Sequence, residues 1–141
     1  MSAPGRGERP RQVWYATGLL VAPGLYAGWV AVLFAAFAAI LPFDGVSDVL
    51  GGFADAALFT AFLAMGGAFA MHMRGRVAWV ASLACAALLA LSFLPAVADG
   101  DVWDGDLTAP LLQLVLLACS LGAGILVALD PARSWIVASD A

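Results

Sequence analysis

Three polar residues in apolar surroundings are where this sequence could do chemistry. Asp55 stands in the run Gly51 to Arg76, GGFADAALFTAFLAMGGAFAMHMRGR, which has the length and apolar character of a membrane span. Thr60 lies further along the same run, and Gln113 sits in a later apolar run. A carboxyl group at membrane depth is costly, and such groups commonly carry protons or cations or pair with other polar groups. Gln113 falls at a depth similar to Asp55. It could hydrogen-bond Asp55 or Thr60 across helices, a contact worth about 1 kcal/mol or less. The helical position of Asp55 argues for a quieter role. It shares a face with Phe59 and Phe62, away from the alanines of its run, and lies near the start of its helix. There it reaches headgroups and is favoured by the helix N-terminus. The expectation is an interfacial carboxylate, with Asp55, Thr60 and Gln113 as the candidate intramembrane polar site.

Other reactive groups carry less. The stretch Asp99-Gly-Asp101-Val-Trp-Asp104-Gly-Asp106 gathers oxygen ligands of the kind that hard divalent cations prefer. Trp103 stands where a calcium loop would want an acid or amide, and the glycines read as turns, so a solvated acidic loop is expected. His72 is the single histidine, which excludes haem ligation by a histidine pair and any multi-histidine metal centre. At a helix C-terminus a partly charged imidazole is favourable in itself. Cys85 and Cys119 form no CxxC pair, so a disulfide-forming membrane oxidoreductase is not indicated; both read as small apolar residues. The first apolar run has no acid, unlike the small multidrug exporters, which need a glutamate there. Ser82, Ser92 and Ser120 have no histidine at reachable depth. No catalytic, cofactor-binding or metal-binding residue is assigned, no cofactor is expected, and the chain is read as a non-enzyme.

The elements that must position these groups follow from composition. Of 141 residues, 64% are hydrophobic and 11% charged, with a mean hydropathy of +0.98. A soluble domain is about half apolar and about a quarter charged. This chain lacks the polar surface to coat itself in water, so the lipid bilayer is its expected partner. A net charge of -4 argues against nucleic acid, which wants a basic face. All the basic residues are arginine, a hint of a GC-rich bacterial source.

Four spans are predicted, at about residues 13–41, 49–71, 77–97 and 107–129. Residues 1–12 read as a flexible tail and residues 130–141 as a second tail. The polar start followed by a long apolar run does not resemble a signal peptide. The first run exceeds one upright span, and Pro23-Gly24 predicts a kink or an interfacial stretch there. Asp106 is placed to cap the fourth helix, with Pro110 in its first turn. Arg6, Arg9, Arg11, Arg74, Arg76 and Arg133 all fall on one side of such a topology, and the opposite loops carry Asp44, Asp48, Asp99, Asp101, Asp104 and Asp106 and no basic residue. By the positive-inside rule both termini are cytoplasmic, in a multi-pass protein of the bacterial cell membrane.

Lipid provides no hydrophobic drive for helix association, so small residues must let the helices approach closely. Gly24, Gly28, Ala31, Ala35 and Ala39 line one face of the first span, and Ala54, Ala57, Ala61, Ala64 and Ala68 one face of the second. Ala78, Ser82, Cys85 and Ala86 do so in the third, and Ala118, Ser120, Gly122 and Gly124 in the fourth. Gly24, Gly28, Ala57, Ala61, Ala64 and Gly122 are the principal packing residues in this reading. The fold class expected is all-α, a compact antiparallel four-helix transmembrane bundle with small residues inside and large ones toward lipid. The function expected is an accessory or scaffolding subunit acting through helix packing, on itself as a homo-oligomer or on another membrane protein. The alternative is an oligomeric small transporter or channel with a path near Asp55, Thr60 and Gln113.

Overall fold

The computed structural model describes residues 9–41, 45–98 and 108–138. They form five α-helices: α1 Arg11–Ile40, α2 Val46–Met73, α3 Arg76–Ala98, α4 Thr108–Ala128 and α5 Asp130–Val137. The first four are long and apolar enough to cross a membrane. Each is a run of Ala, Leu, Val and Phe that is apolar on all sides, which suits a helix with lipid on one flank and helices on the other. Helix α1 continues through Pro23 as one element of 30 residues. Pro110 lies in the first turn of α4. Asp106, expected to cap that helix, lies outside the described residues, as do the acidic stretch 99–107 and residues 1–8.

The spans form a ring in chain order. Helix α1 packs on α2 and α4, α3 packs on α2 and α4, and the diagonal pairs α1–α3 and α2–α4 barely touch. A glycine marks each of the four seams. A Cβ on Gly24 would stand 3.1 Å from the Ala64 Cβ, between α1 and α2. One on Gly67 would stand 2.9 Å from the Cys85 Cβ and 3.1 Å from Leu20 Cδ1, where α2 meets α3 and α1. Gly122 plays this part between α4 and α1, 3.3 Å from Leu19 Cδ1, and Gly124 between α4 and α3, 3.6 Å from the Ala86 Cβ. Without side chains at these points, the helices approach closely enough to interlock.

Contrary to the expectation from the sequence, the interior is not built of small residues alone. Leu20, Met71, Leu89 and Val127 are fully buried alongside Ala16, Ala64 and Ala123, and Phe93 and Leu116 are nearly so. Small residues serve the seams between adjacent helices, but a ring of four also has an axis to fill, and close packing there demands volume. The expected inner face of α1 also shifts. Val13, Ala16, Leu20, Pro23, Gly24, Ala27 and Ala31 point inward, and Ala35 and Ala39 are exposed. Past Ala31 no residue of α1 is fully buried, and Phe34 and Ala38 are only half-buried. In α4 the buried face is Leu116, Ser120, Ala123 and Val127, and Ala118 faces outward.

Residues 130–137, read from the sequence as part of a tail, fold into α5. Pro131 suits the first turn of a helix because its missing N–H would be unpaired there anyway. Ala132 and Ile136, one helical turn apart, are both fully buried, and Arg133 and Ser134 face out. The α2–α3 turn supplies donors for the far end of α5. Gly75 N–H donates to the Ile136 carbonyl at 2.6 Å, and Arg74 Nη2 to the Trp135 carbonyl at 3.3 Å. These carbonyls belong to the last turn of a helix, where no intrahelical partner exists. The turn itself needs Gly75, whose φ of 121° is open only to glycine without strain.

Candidate functional site

Asp55 lies nine residues into α2, about 13 Å along its axis at 1.5 Å per residue. Its side chain is exposed, on the same face as the exposed Phe59 and Phe62. The outward facing expected from its helical position therefore holds. Thr60 is half-buried and donates its hydroxyl to the Ala56 carbonyl at 2.9 Å, one turn back on its own helix. Gln113 is half-buried in α4, and its Oε1 is buried with no hydrogen-bond partner. The structure does not bring these three together. Asp55 and Thr60 are on α2 and Gln113 is on α4, and those two helices face each other across the diagonal of the ring. Within one chain they form no polar path.

The buried hydroxyls likewise serve their own helices. Ser82 Oγ donates to the Ala78 carbonyl at 2.8 Å and lies 3.4 Å from the Gly67 carbonyl. Ser120 Oγ donates to the Leu116 carbonyl at 2.9 Å. Cys85 and Cys119 are free thiols, with Cys85 turned toward Gly67 at the α2–α3 seam. Among the described residues no three or more of His, Cys, Asp and Glu gather in a way that could hold a metal ion.

Of the expected packing residues, Gly24 and Ala64 meet each other directly, and Gly122 meets Leu19. Ala57 and Ala61 are half-buried at the rim of the α2 seam. Gly28 marks no close approach, since a Cβ there would find nothing within 4 Å. Among the described glycines the tightest approach is at Gly67, which is not one of the expected packing residues. The Gly66-Gly67 pair is its one visible signal.

A second polar assembly lies at the end of the bundle where α5 docks. Two guanidiniums approach the Trp135 ring of α5, Arg74 at 4.5 Å and Arg9 at 5.6 Å from its centroid. Arg9 also stands 5.6 Å from the Trp14 ring and donates to Nδ1 of His72 at 2.8 Å. Arginine has no acceptor, so this Nδ1 carries no proton and the imidazole is neutral in this arrangement. The partly charged His72 expected at the helix end gives way to an acceptor for Arg9. The Trp14 ring meets His72 edge-on, with centroids 6.1 Å apart. Trp79 Nε1 donates to the Val127 carbonyl at 3.1 Å, and Arg133 sits 5.1 Å over the same indole. These contacts bring together the start of α1, the end of α2, the start of α3, the end of α4 and α5. Tryptophan is the best ring partner for a cation, and such a pair is worth about 0.5–1 kcal/mol when exposed and more when desolvated.

Compared with protein-family models, with curated proteins and with solved structures, the chain finds no match, so its function has to be read from this geometry alone.

Proposed function

We propose that the protein is an accessory or scaffolding subunit of a bacterial cell membrane, without catalytic activity of its own, acting through the outer face of α2. In this reading the helices run antiparallel with both termini cytoplasmic, as the one-sided arginines favour. The observation that carries the proposal is the outward Asp55 on the least buried span. Only 11% of the apolar window of α2 is buried, against 22–28% for the other three spans. That face presents Phe59, Phe62 and Phe69 together with Gly52, Ala56 and Gly66. Large side chains alone would suit lipid. A carboxylate among them does not, because intramembrane acids almost always face protein or water. A partner helix seated on this face would give Asp55 a hydrogen-bonding neighbour and use the small residues for close approach.

Single cysteines in a background lacking Cys85 and Cys119 test this. Phe59→Cys on α2 should cross-link in membranes to a second copy or to another membrane protein, and Leu121→Cys on the outer face of α4 should not. Equal cross-linking at both positions, or at neither, would sink the proposal. For the orientation, Gly75→Cys should be shielded from an impermeant thiol reagent in intact cells and Asp101→Cys should be labelled; the reverse pattern would invert the topology.

A transporter or channel is the second reading. It draws on the unpartnered Gln113 Oε1, and it requires copies of the chain to assemble a path that the single chain does not enclose. Asp55→Asn separates the two. The scaffold should keep its partner association, and a proton- or cation-coupled path should lose transport.

A further inference from the structure

The grooves at the α5 end carry a site that neither reading uses. A depression of about 270 Å³ is lined by Arg76, Trp79, Val80, Arg133 and Val137, where α5 crosses the start of α3. It shares Arg76 and Val80 with a second groove of about 370 Å³ that runs along α3 past Val77 and Ala81. On its other side, Arg133 and Val137 also border a hollow of about 570 Å³ on α5 that includes Asp130 and Ser134. The arrangement is two guanidiniums at the end of a membrane span, followed by an aliphatic trough directed along that span. Val77 and Val80 are 84% and 55% exposed, so the trough is open to whatever surrounds the helix.

The geometry points to a binding site for one anionic glycerophospholipid, its phosphate held between Arg76 and Arg133 and an acyl chain laid along Val77, Val80 and Ala81. Three observations support this occupant. Guanidinium forks match phosphate oxygens in shape and charge. Arg133 is held in place rather than floating, because it stacks on Trp79 and the Trp79 ring is itself fixed by its bond to the Val127 carbonyl. A soluble anion would have no use for the aliphatic trough, whereas basic pockets at the ends of transmembrane helices are suited to lipid headgroups. The site stands whether or not α2 binds a partner.

Native mass spectrometry of the purified protein, exchanged into mixed micelles with phosphatidylglycerol or phosphatidylcholine, tests the proposal. One phosphatidylglycerol should be retained per chain in clear preference to phosphatidylcholine. Arg133→Gln and Arg76→Gln should each weaken retention about fivefold, as expected for one basic residue at an anionic headgroup. Arg11→Gln, an exposed arginine that lines none of these grooves, should leave it unchanged. Val80→Trp fills the trough without touching a charge and should also reduce retention, with helix content by circular dichroism reporting that each variant is folded. Excess inorganic phosphate should not displace the lipid. Equal loss in Arg11→Gln would mean diffuse charge attraction, and displacement by phosphate or indifference to Val80→Trp would mean an anion site without a lipid; each outcome overturns the proposal.

Discussion

The two halves of this bundle are held in different ways. In the half that α5 closes, hydrogen bonds to backbone carbonyls tie one helix to the next: Trp79 to the Val127 carbonyl, Arg74 to the Trp135 carbonyl, and Gly75 N–H to the Ile136 carbonyl. The closest seam, at Gly67, belongs to the same half. In the other half, the contacts between α1 and α2 include Ser47 Oγ to the Ala38 carbonyl at 3.3 Å and the Phe34–Phe53 ring pair at 5.6 Å. Beyond Ala31 no residue of α1 is buried. Helix association in lipid needs close packing or polar contacts, and here both are concentrated at the arginine end. Among the described residues, the α5 half is the structural anchor.

The largest effect should come from undocking α5. Ile136→Ala removes a fully buried side chain and should cost about 2–4 kcal/mol. Phe53→Ala, in the loose half, gives up an exposed side chain and one ring contact and should cost about 1 kcal/mol. Thermal unfolding in a mild detergent ranks the two, and a larger loss for Phe53→Ala would reverse the comparison.

Next come the glycines. Gly67→Ala sets a methyl group 2.9 Å from a neighbouring Cβ and should destabilise by about 1–3 kcal/mol, as overpacking does. Gly28→Ala meets open space and should be neutral or slightly stabilising, because alanine is the better helix former by up to about 1 kcal/mol. Gly24→Ala should fall between them, with the Ala64 Cβ at 3.1 Å. Loss of stability at Gly28 in lipid but not in detergent would reveal a contact with a second chain.

Smaller still is Trp79→Phe. It deletes the donor to the Val127 carbonyl and should cost about 1 kcal/mol, the net worth of one such bond. The smallest is Ser47→Ala. Its hydroxyl makes a 3.3 Å contact in the loose half, and its loss should stay below about 0.5 kcal/mol.

The four spans were legible because an apolar run of about 20 residues has few alternatives to a transmembrane helix. The inward faces of α2 and α3 were legible too, since Ala54, Ala64 and Ala68, with Ser82 and Ala86, recur at helical spacing and are all buried. Ala35, Ala39 and Ala118 misled. A periodic stripe shows which residues share a face but not how far along the helix a neighbour extends. The outward facing of Asp55 was readable from its aromatic companions. Its separation from Gln113 was not, because helical phase says nothing of which helices become neighbours in the ring. Helix α5 escaped because eight residues with a proline and two charges resemble a tail, although Ala132 and Ile136 at one-turn spacing, just after Pro131, were an available sign.

The length of the first hairpin bears on the membrane itself. At 1.5 Å per residue, α1 and α2 are about 45 and 42 Å long. A hydrocarbon layer is about 30 Å thick, and this hairpin is too long to stand upright in it. The excess lies in the loose half, where the exposed Leu33, Phe37 and Ile40 keep α1 apolar almost to its last residue. That hairpin can bury its tip only by tilting or by drawing thicker bilayer around itself. With its other half clamped by α5, tilt is the harder course, so the protein should prefer long-chain lipids and gather where the membrane is thickest.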